Sequence, residues 1–104
     1  MISVIIPTVG EKNIAATIRL IRYRASSDVE IIIVDADGFA LRRITHPDVI
    51  KVAAERRGRA FQMNQGAALA TGSVLLFLHA DTVLPYRWDV RVLEVLKRAD
   101  YGCF

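Results

Sequence analysis

Cysteine is nearly absent from this chain: Cys103 is the only one in 104 residues. No disulfide can form within the sequence, and no Cys-x-x-Cys pair exists for a zinc or redox centre. That usage suits a reducing compartment, and Cys103 reads as a core residue rather than a nucleophile. Aromatics are also scarce, at 8%. Arginines come in short pairs, Arg42-Arg43 and Arg56-Arg57, rather than in a long basic run interleaved with aromatics. Nucleic acid is therefore not an expected partner. No apolar stretch approaches the ~20 residues that span a bilayer. The opening Met1-Ile2-Ser3-Val4-Ile5-Ile6-Pro7 lacks a basic segment ahead of its apolar run, so it reads as a first strand, not a signal peptide. A cytoplasmic location is expected. Also missing are the GxxxxGK[ST] and GxGxxG phosphate loops, an HExxH zinc motif and any Ser-His-Asp arrangement.

What is present is a core. Hydrophobic residues make up 53% of the chain and charged residues 24%, which argues against disorder and for one domain over residues 1–104. The net charge of +3, from 14 basic and 11 acidic residues, suits an anionic small ligand. Ile2 to Ile6 is a β-branched run that Pro7 is expected to stop. Glu11 to Arg24 carries Ile14, Ile18, Ile21 and Ala25 at helical spacing, leaving Arg19, Arg22 and Arg24 for solvent. Val29 to Val34 is a second strand, Phe39 to Ile44 a short helix, and Val49 to Ala53 a third strand opened by Pro47. Gly58 to Thr71 reads as a helix with Ala60, Met63, Ala67 and Ala70 on its buried face, stopped by Gly72. A buried strand from Ser73 to Leu78 follows. Trp88 to Arg98 is a helix with a stripe of Trp88, Val92, Val95 and Ala99. Tyr101 to Phe104 looks like the start of another strand. Strands alternating with helices predict an α/β domain: a mainly parallel sheet, Rossmann-like, with helices on both faces.

In such sheets ligands sit outside the carboxyl ends of the strands. The first strand ends in Pro7-Thr8, followed by Gly10 and Glu11. Thr8 can offer a hydroxyl to a base or phosphate, and Gly10 permits close approach; a tight turn with Glu11 at a helix start is the plainer reading. The second strand ends in Asp35-Ala36-Asp37-Gly38. Asp35 is the better ligand candidate, for example accepting from a base N–H, with Asp37 directed elsewhere; an Asx-type turn closed by Gly38 is the alternative. Arg57 and Arg59 flank Gly58 at a helix start, where free N–H groups suit an anion. The fourth strand ends in His79-Ala80-Asp81-Thr82. A carboxylate there must be solvated, hydrogen-bonded or bound to a cation, and Asp81 suits Mg²⁺ or Mn²⁺ shared with substrate phosphates. His79 is a further metal ligand, a phosphate donor, or a hydrogen-bonded strand-end residue.

Together these segments resemble the nucleotide-sugar-binding half of a family 2 glycosyltransferase with a GT-A fold, over essentially the whole chain. Ser3-Val4-Ile5-Ile6-Pro7-Thr8 with Glu11 is similar to the family's opening strand, turn and acid. Glu30-Ile31-Ile32-Ile33-Val34-Asp35 is similar to the strand whose terminal Asp contacts the base. Gly58-Arg59-Ala60, Gln62-Met63-Asn64 and Ala70-Thr71-Gly72 resemble the helix before the metal strand. Leu75-Leu76-Phe77-Leu78-His79-Ala80-Asp81-Thr82 resembles the strand carrying the DXD-type motif. The wording is similar to one bacterial subgroup of small, soluble family 2 transferases. His79 stands in place of the motif's first Asp, Gly10 in place of a common Asn, and Met63 where many relatives carry Arg.

The resemblance implies a nucleoside-diphosphate sugar as ligand, Mn²⁺ or Mg²⁺ as cofactor and glycosyl transfer to an acceptor that the sequence does not name. It implies a donor site of Pro7, Thr8, Glu11, Asp35, Asp37, Arg57, Arg59 and Asn64, with Asp81 and His79 on the metal. The family's acceptor-binding half, with its catalytic base, is expected to be missing after Phe104. Two other readings stay open: a non-catalytic nucleotide-binding module that self-associates as a homo-oligomer, and a nucleotidyltransferase-like domain that releases pyrophosphate.

Overall fold

The computed structural model describes residues 1–102. Four parallel strands form one sheet: β1 (Ile2–Thr8), β2 (Val29–Asp35), β3 (Val49–Ala53) and β4 (Val74–Phe77), in the order β3-β2-β1-β4. Four helices connect or follow them: α1 (Ile14–Arg24), α2 (Phe39–Arg43), α3 (Arg59–Leu69) and α4 (Trp88–Leu96). The α/β reading with a parallel sheet covered on both faces is what the structure has. Side chains alternate across the sheet, so each strand feeds two cores. Ile2, Val4 and Ile6 of β1, with Ile31 and Ile33 of β2, pack against Ile14, Ile18 and Ile21 of α1, Ala40 of α2 and Trp88 of α4. Ile5, Ile32 and Val34 point the other way, to Ala67 and Ala70 beside α3.

Pro7 does not stop β1. It pairs with Val34 inside the ladder, and the strand runs on to Thr8 opposite Asp35. Proline is tolerated because the β1–β4 pairing ends at Ile5 opposite Phe77, closed by Leu78 N–H donating to Ile5 O at 3.0 Å. Two residues on, the side of Pro7 that would need a donor faces no strand.

Three expected apolar faces sit differently. In α3 the buried residues are Gln62 and Gly66, while Ala60 is exposed and Met63, Ala67 and Ala70 are half-buried. The helix lies so close to the sheet that a β-carbon on Gly66 would come 2.5 Å from Ile5 Cγ2. Glycine, not alanine, marks the contact line. In α4 Trp88 is buried and Val92 half-buried, but Val95 and Ala99 are exposed, and the helix ends at Leu96. In β4 Leu75 and Phe77 are 42% and 44% exposed, so only one face of this edge strand is covered.

Helix α1 begins at Ile14 rather than Glu11, because Glu11 closes the preceding turn by accepting Val9 N–H at 2.7 Å. Arg24 is half-buried, not solvated: its Nη1 donates to Leu84 O at 2.8 Å. Tyr101 and Gly102 belong to no strand, and Cys103 and Phe104 lie outside the described residues.

Candidate functional site

The chain leaves β1 outward through β2 to β3, then returns to place β4 on the other side of β1. The carboxyl ends of β1 and β4 are thus a topological switch point, where an open α/β sheet leaves a crevice. The ends of the first, second and fourth strands supply its candidate residues.

After β4 the chain enters a turn at Ala80 and Asp81. Ala80 is buried in it, while His79 and Asp81 on either side are exposed. The loop is anchored twice. Thr17 Oγ1 of α1 donates to Ala80 O at 2.9 Å, a buried bond, and Thr82 N–H donates to His79 O at 3.0 Å. The two exposed side chains are hydrogen-bonded to each other through His79 Nδ1 and Asp81 Oδ1. Their side chains are 47% and 78% exposed, so neither is core filler.

At β2 the sequence reading is partly altered. Asp35 is 2% exposed. Its Oδ1 accepts Thr8 Oγ1–H at 3.0 Å and Asp37 N–H at 3.4 Å, and its Oδ2 accepts Leu41 N–H at 3.1 Å. Burial pushes this carboxyl up, but the Leu41 N–H, the Thr8 hydroxyl and the Asp37 N–H outweigh it and hold the group below the ordinary carboxylate range. Asp35 is therefore a charged keystone that fixes the strand ends and starts α2, and Thr8 spends its hydroxyl on it. Asp37 is the exposed acid of the pair. Its Oδ1 accepts Phe39 N–H at 2.9 Å, while its Oδ2 lies where a β-carbon on Gly10 would stand, 2.6 Å away. Gly10, at φ +80°, thus lets the β1 and β2 turns meet.

The site also rests on a residue that charge and spacing did not single out. Gln62 is 1% exposed. Its Nε2 donates to Thr8 O at 3.1 Å and Val34 O at 2.8 Å, and its Oε1 accepts Gly58 N–H at 3.2 Å. One amide clamps the ends of β1 and β2 and fixes the start of α3. A polar residue one turn into a helix whose other end is alanine-rich was the available signal.

Arg57 and Arg59 are exposed at the start of α3, and among the described residues neither pairs with a carboxylate. Arg56 instead stacks on Phe61, 3.9 Å from the ring centroid. Asn64 is exposed on the second turn of α3. The structure thus brings together Thr8, Asp35 and Asp37, with Pro7 beneath them, and separately His79 and Asp81. Glu11 is spent on its own turn.

No group of three or more His, Cys, Asp or Glu converges among the described residues. A divalent cation would find a two-residue seat at most, an imidazole and a carboxylate. Mg²⁺ and Mn²⁺ accept that arrangement when phosphates and water complete the shell. The exposed oxygen of Asp81 fits that role.

The fold has known relatives. The family model described as glycosyl transferase family 2 matches residues 3–104. Among solved structures, the chain is similar to a mannosyltransferase from Pyrobaculum calidifontis determined in complex with GDP-Man and Mn²⁺. The identity is 29% and the TM-score 0.74, over 97% of this chain and 33% of that one. The chain therefore spans a third of that relative's length. No curated protein matches the sequence.

Proposed function

Because this chain belongs to glycosyl transferase family 2, we propose that it binds a nucleoside-diphosphate sugar together with Mn²⁺ or Mg²⁺, as the donor-binding part of a glycosyltransferase. The observation that carries the reading is the outward pair His79 and Asp81 at the switch point, held there by the buried Ala80 between them. The relative solved with GDP-Man and Mn²⁺ supports it.

In this reading Asp35 and Thr8 form the floor under the base and ribose. Asp37 offers Oδ2 beside Gly10, where nothing but a missing β-carbon would block approach. Arg57 and Arg59 bring positive charge to the α3 start, where backbone N–H groups already favour an anion. Asp81 holds the cation, with His79 orienting its carboxylate through their hydrogen bond and keeping Nε2 for a phosphate oxygen or the ion. When bound, the cation stabilises the charge that develops on the diphosphate leaving group. No residue is assigned as catalytic base. The relative's remaining two thirds have no counterpart in the matched region, and acceptor binding is not assigned to these strand ends.

Titration calorimetry with GDP, GDP-Man and the other nucleoside diphosphates tests this. Binding should require Mn²⁺ or Mg²⁺ and weaken at least tenfold in Asp81→Ala, with a smaller loss in His79→Ala. Affinity unchanged by chelation and by Asp81→Ala would sink the metal assignment.

A second reading is favoured by the open face of β4: a donor-binding module that is completed by a second copy through Leu75 and Phe77. No feature of the site favours a nucleotidyltransferase, which would release pyrophosphate from nucleoside triphosphates.

A further inference from the structure

On the outer side of the α1–α2 layer lies a groove of about 590 Å³, away from the strand ends that form the donor site. Its floor includes Ile18 and Ile44, both core residues, and its walls carry Arg19, Arg22, Tyr23 and Arg43. The two helices together hold five arginines and not one acidic residue. Among the described residues no arginine makes an ion pair with a carboxylate; the only ion pairs are His46 with Asp48 and His79 with Asp81. Arg22 meets His46 Nδ1 at 3.4 Å, and Arg43 lies 5.1 Å over the Phe39 ring, so both guanidinium groups keep most of their donors free. Tyr23, 74% exposed, stands edge-to-face with Tyr86, 66% exposed, at 6.3 Å between ring centroids.

Unpaired arginines call for an anion, and their surroundings narrow its kind. A free phosphate needs no apolar floor. An acidic peptide needs no exposed tyrosine pair beside its cations. Arginine and tyrosine around an apolar groove are the composition of a surface that lies at a lipid headgroup boundary. The phosphate meets guanidinium, the phenols sit at headgroup level, and the glycerol end of the lipid meets the groove floor. We propose that the α1–α2 face docks on a membrane surface rich in anionic phospholipid. Among the described residues no helix is long and apolar enough to cross a membrane, and this docking needs none.

Vesicle co-sedimentation tests the proposal with the whole chain. It should sediment with vesicles of phosphatidylglycerol, not with vesicles of phosphatidylcholine, and release as salt rises. Each surface cation adds roughly fivefold to such partitioning. Arg19→Glu/Arg22→Glu/Arg43→Glu should therefore weaken it by at least tenfold while binding of GDP with Mn²⁺ is unchanged. Tyr23→Ser, at a side chain that is mostly exposed, should weaken it several-fold and gives a second readout if the triple variant does not fold. Equal loss in Arg91→Glu/Arg98→Glu, on α4 and beyond, would mean non-specific charge attraction and overturn the proposal. So would equal binding to phosphatidylcholine, or tighter binding to polyglutamate than to phosphatidylglycerol. Failure of GDP to bind would leave this result standing, because the two faces share no residue.

Discussion

A side-chain amide has two donors and an acceptor, and in Gln62 every one of those roles has a buried or half-buried backbone partner. That makes it the residue on which the geometry of the strand ends depends. Gln62→Leu keeps the volume but strips the partners from Thr8 O and Val34 O. Thr8 O retains Ala36 N–H at 2.9 Å and Val34 stays in the β1–β2 ladder, whereas Gly58 N–H loses its acceptor. A part-buried donor left without its partner costs roughly 1–3 kcal/mol, so urea denaturation should show a loss of that size. Donor affinity should fall as well, because Thr8 and the Asp35 cluster are no longer held in register. Gln62→Glu keeps the acceptor to Gly58 N–H and turns a donor toward two carbonyls into a negative charge. It should be the worse of the two variants. If Gln62→Leu matches the parent in both measurements, the clamp is only filler.

At the scale of elements, the ties between distant segments decide which parts of the fold respond to pH. Asp89 opens α4, and its buried carboxylate accepts Ser26 N–H at 2.8 Å, Ser27 N–H at 3.0 Å and Ser27 Oγ–H at 3.0 Å, closing the loop after α1. Burial pushes this carboxyl up, but the Ser26 and Ser27 donors outweigh it and hold it below the ordinary range. Asp35 and Glu30 are lowered in the same way, Glu30 by Thr71 and Ser3 against its own burial. A carboxylate lowered on folding stabilises the fold at pH values above its unfolded pKa, about 4. That contribution fades as pH falls through the lower folded value. Thermal melts should therefore lose stability progressively below about pH 4. Asp89→Asn should be less stable at neutral pH and flatter in acid. A variant curve parallel to the parent's would remove Asp89 from the effect.

These ties also mark where the sequence is legible. The strands are continuous β-branched runs, so β1, β2 and β3 read directly. His79 and Asp81 read as strand-end residues from their place after an apolar run, but the turn that exposes both does not read from the sequence. Gly66 does not read as a contact, because its role depends on how near Ile5 comes, and composition carries no distance. Asp89 does not read as buried, because its partners are 62 and 63 residues away in sequence. Asp35 reads as a ligand because a strand-end carboxylate looks free until Leu41, six residues on, is seen to occupy it.

At the scale of the whole molecule, the two sides of the sheet are not equally finished. The side bearing α1, α2 and α4 is closed, with Trp88 fully buried and its Nε1 donating to Ile21 O at 2.9 Å. On the other side α3 covers β1 and β2 but leaves the outer face of β4 bare, where Leu75 and Phe77 lie in register with Ser3 and Ile5. Among the described residues no strand pairs with the outer edge of β4. An open apolar edge is a template for pairing. The chain by itself should therefore self-associate reversibly, with a sedimentation coefficient that rises with concentration. Leu75→Ser/Phe77→Ser should shift it to monomer at little cost to folding, because side chains already more than two-fifths exposed lose little burial. The double variant should keep its affinity for GDP with Mn²⁺, since neither residue belongs to the donor site. A parent chain that stays monomeric at all concentrations would rule out the β4 surface as a contact between copies, and with it the reading of a module completed by its own second copy.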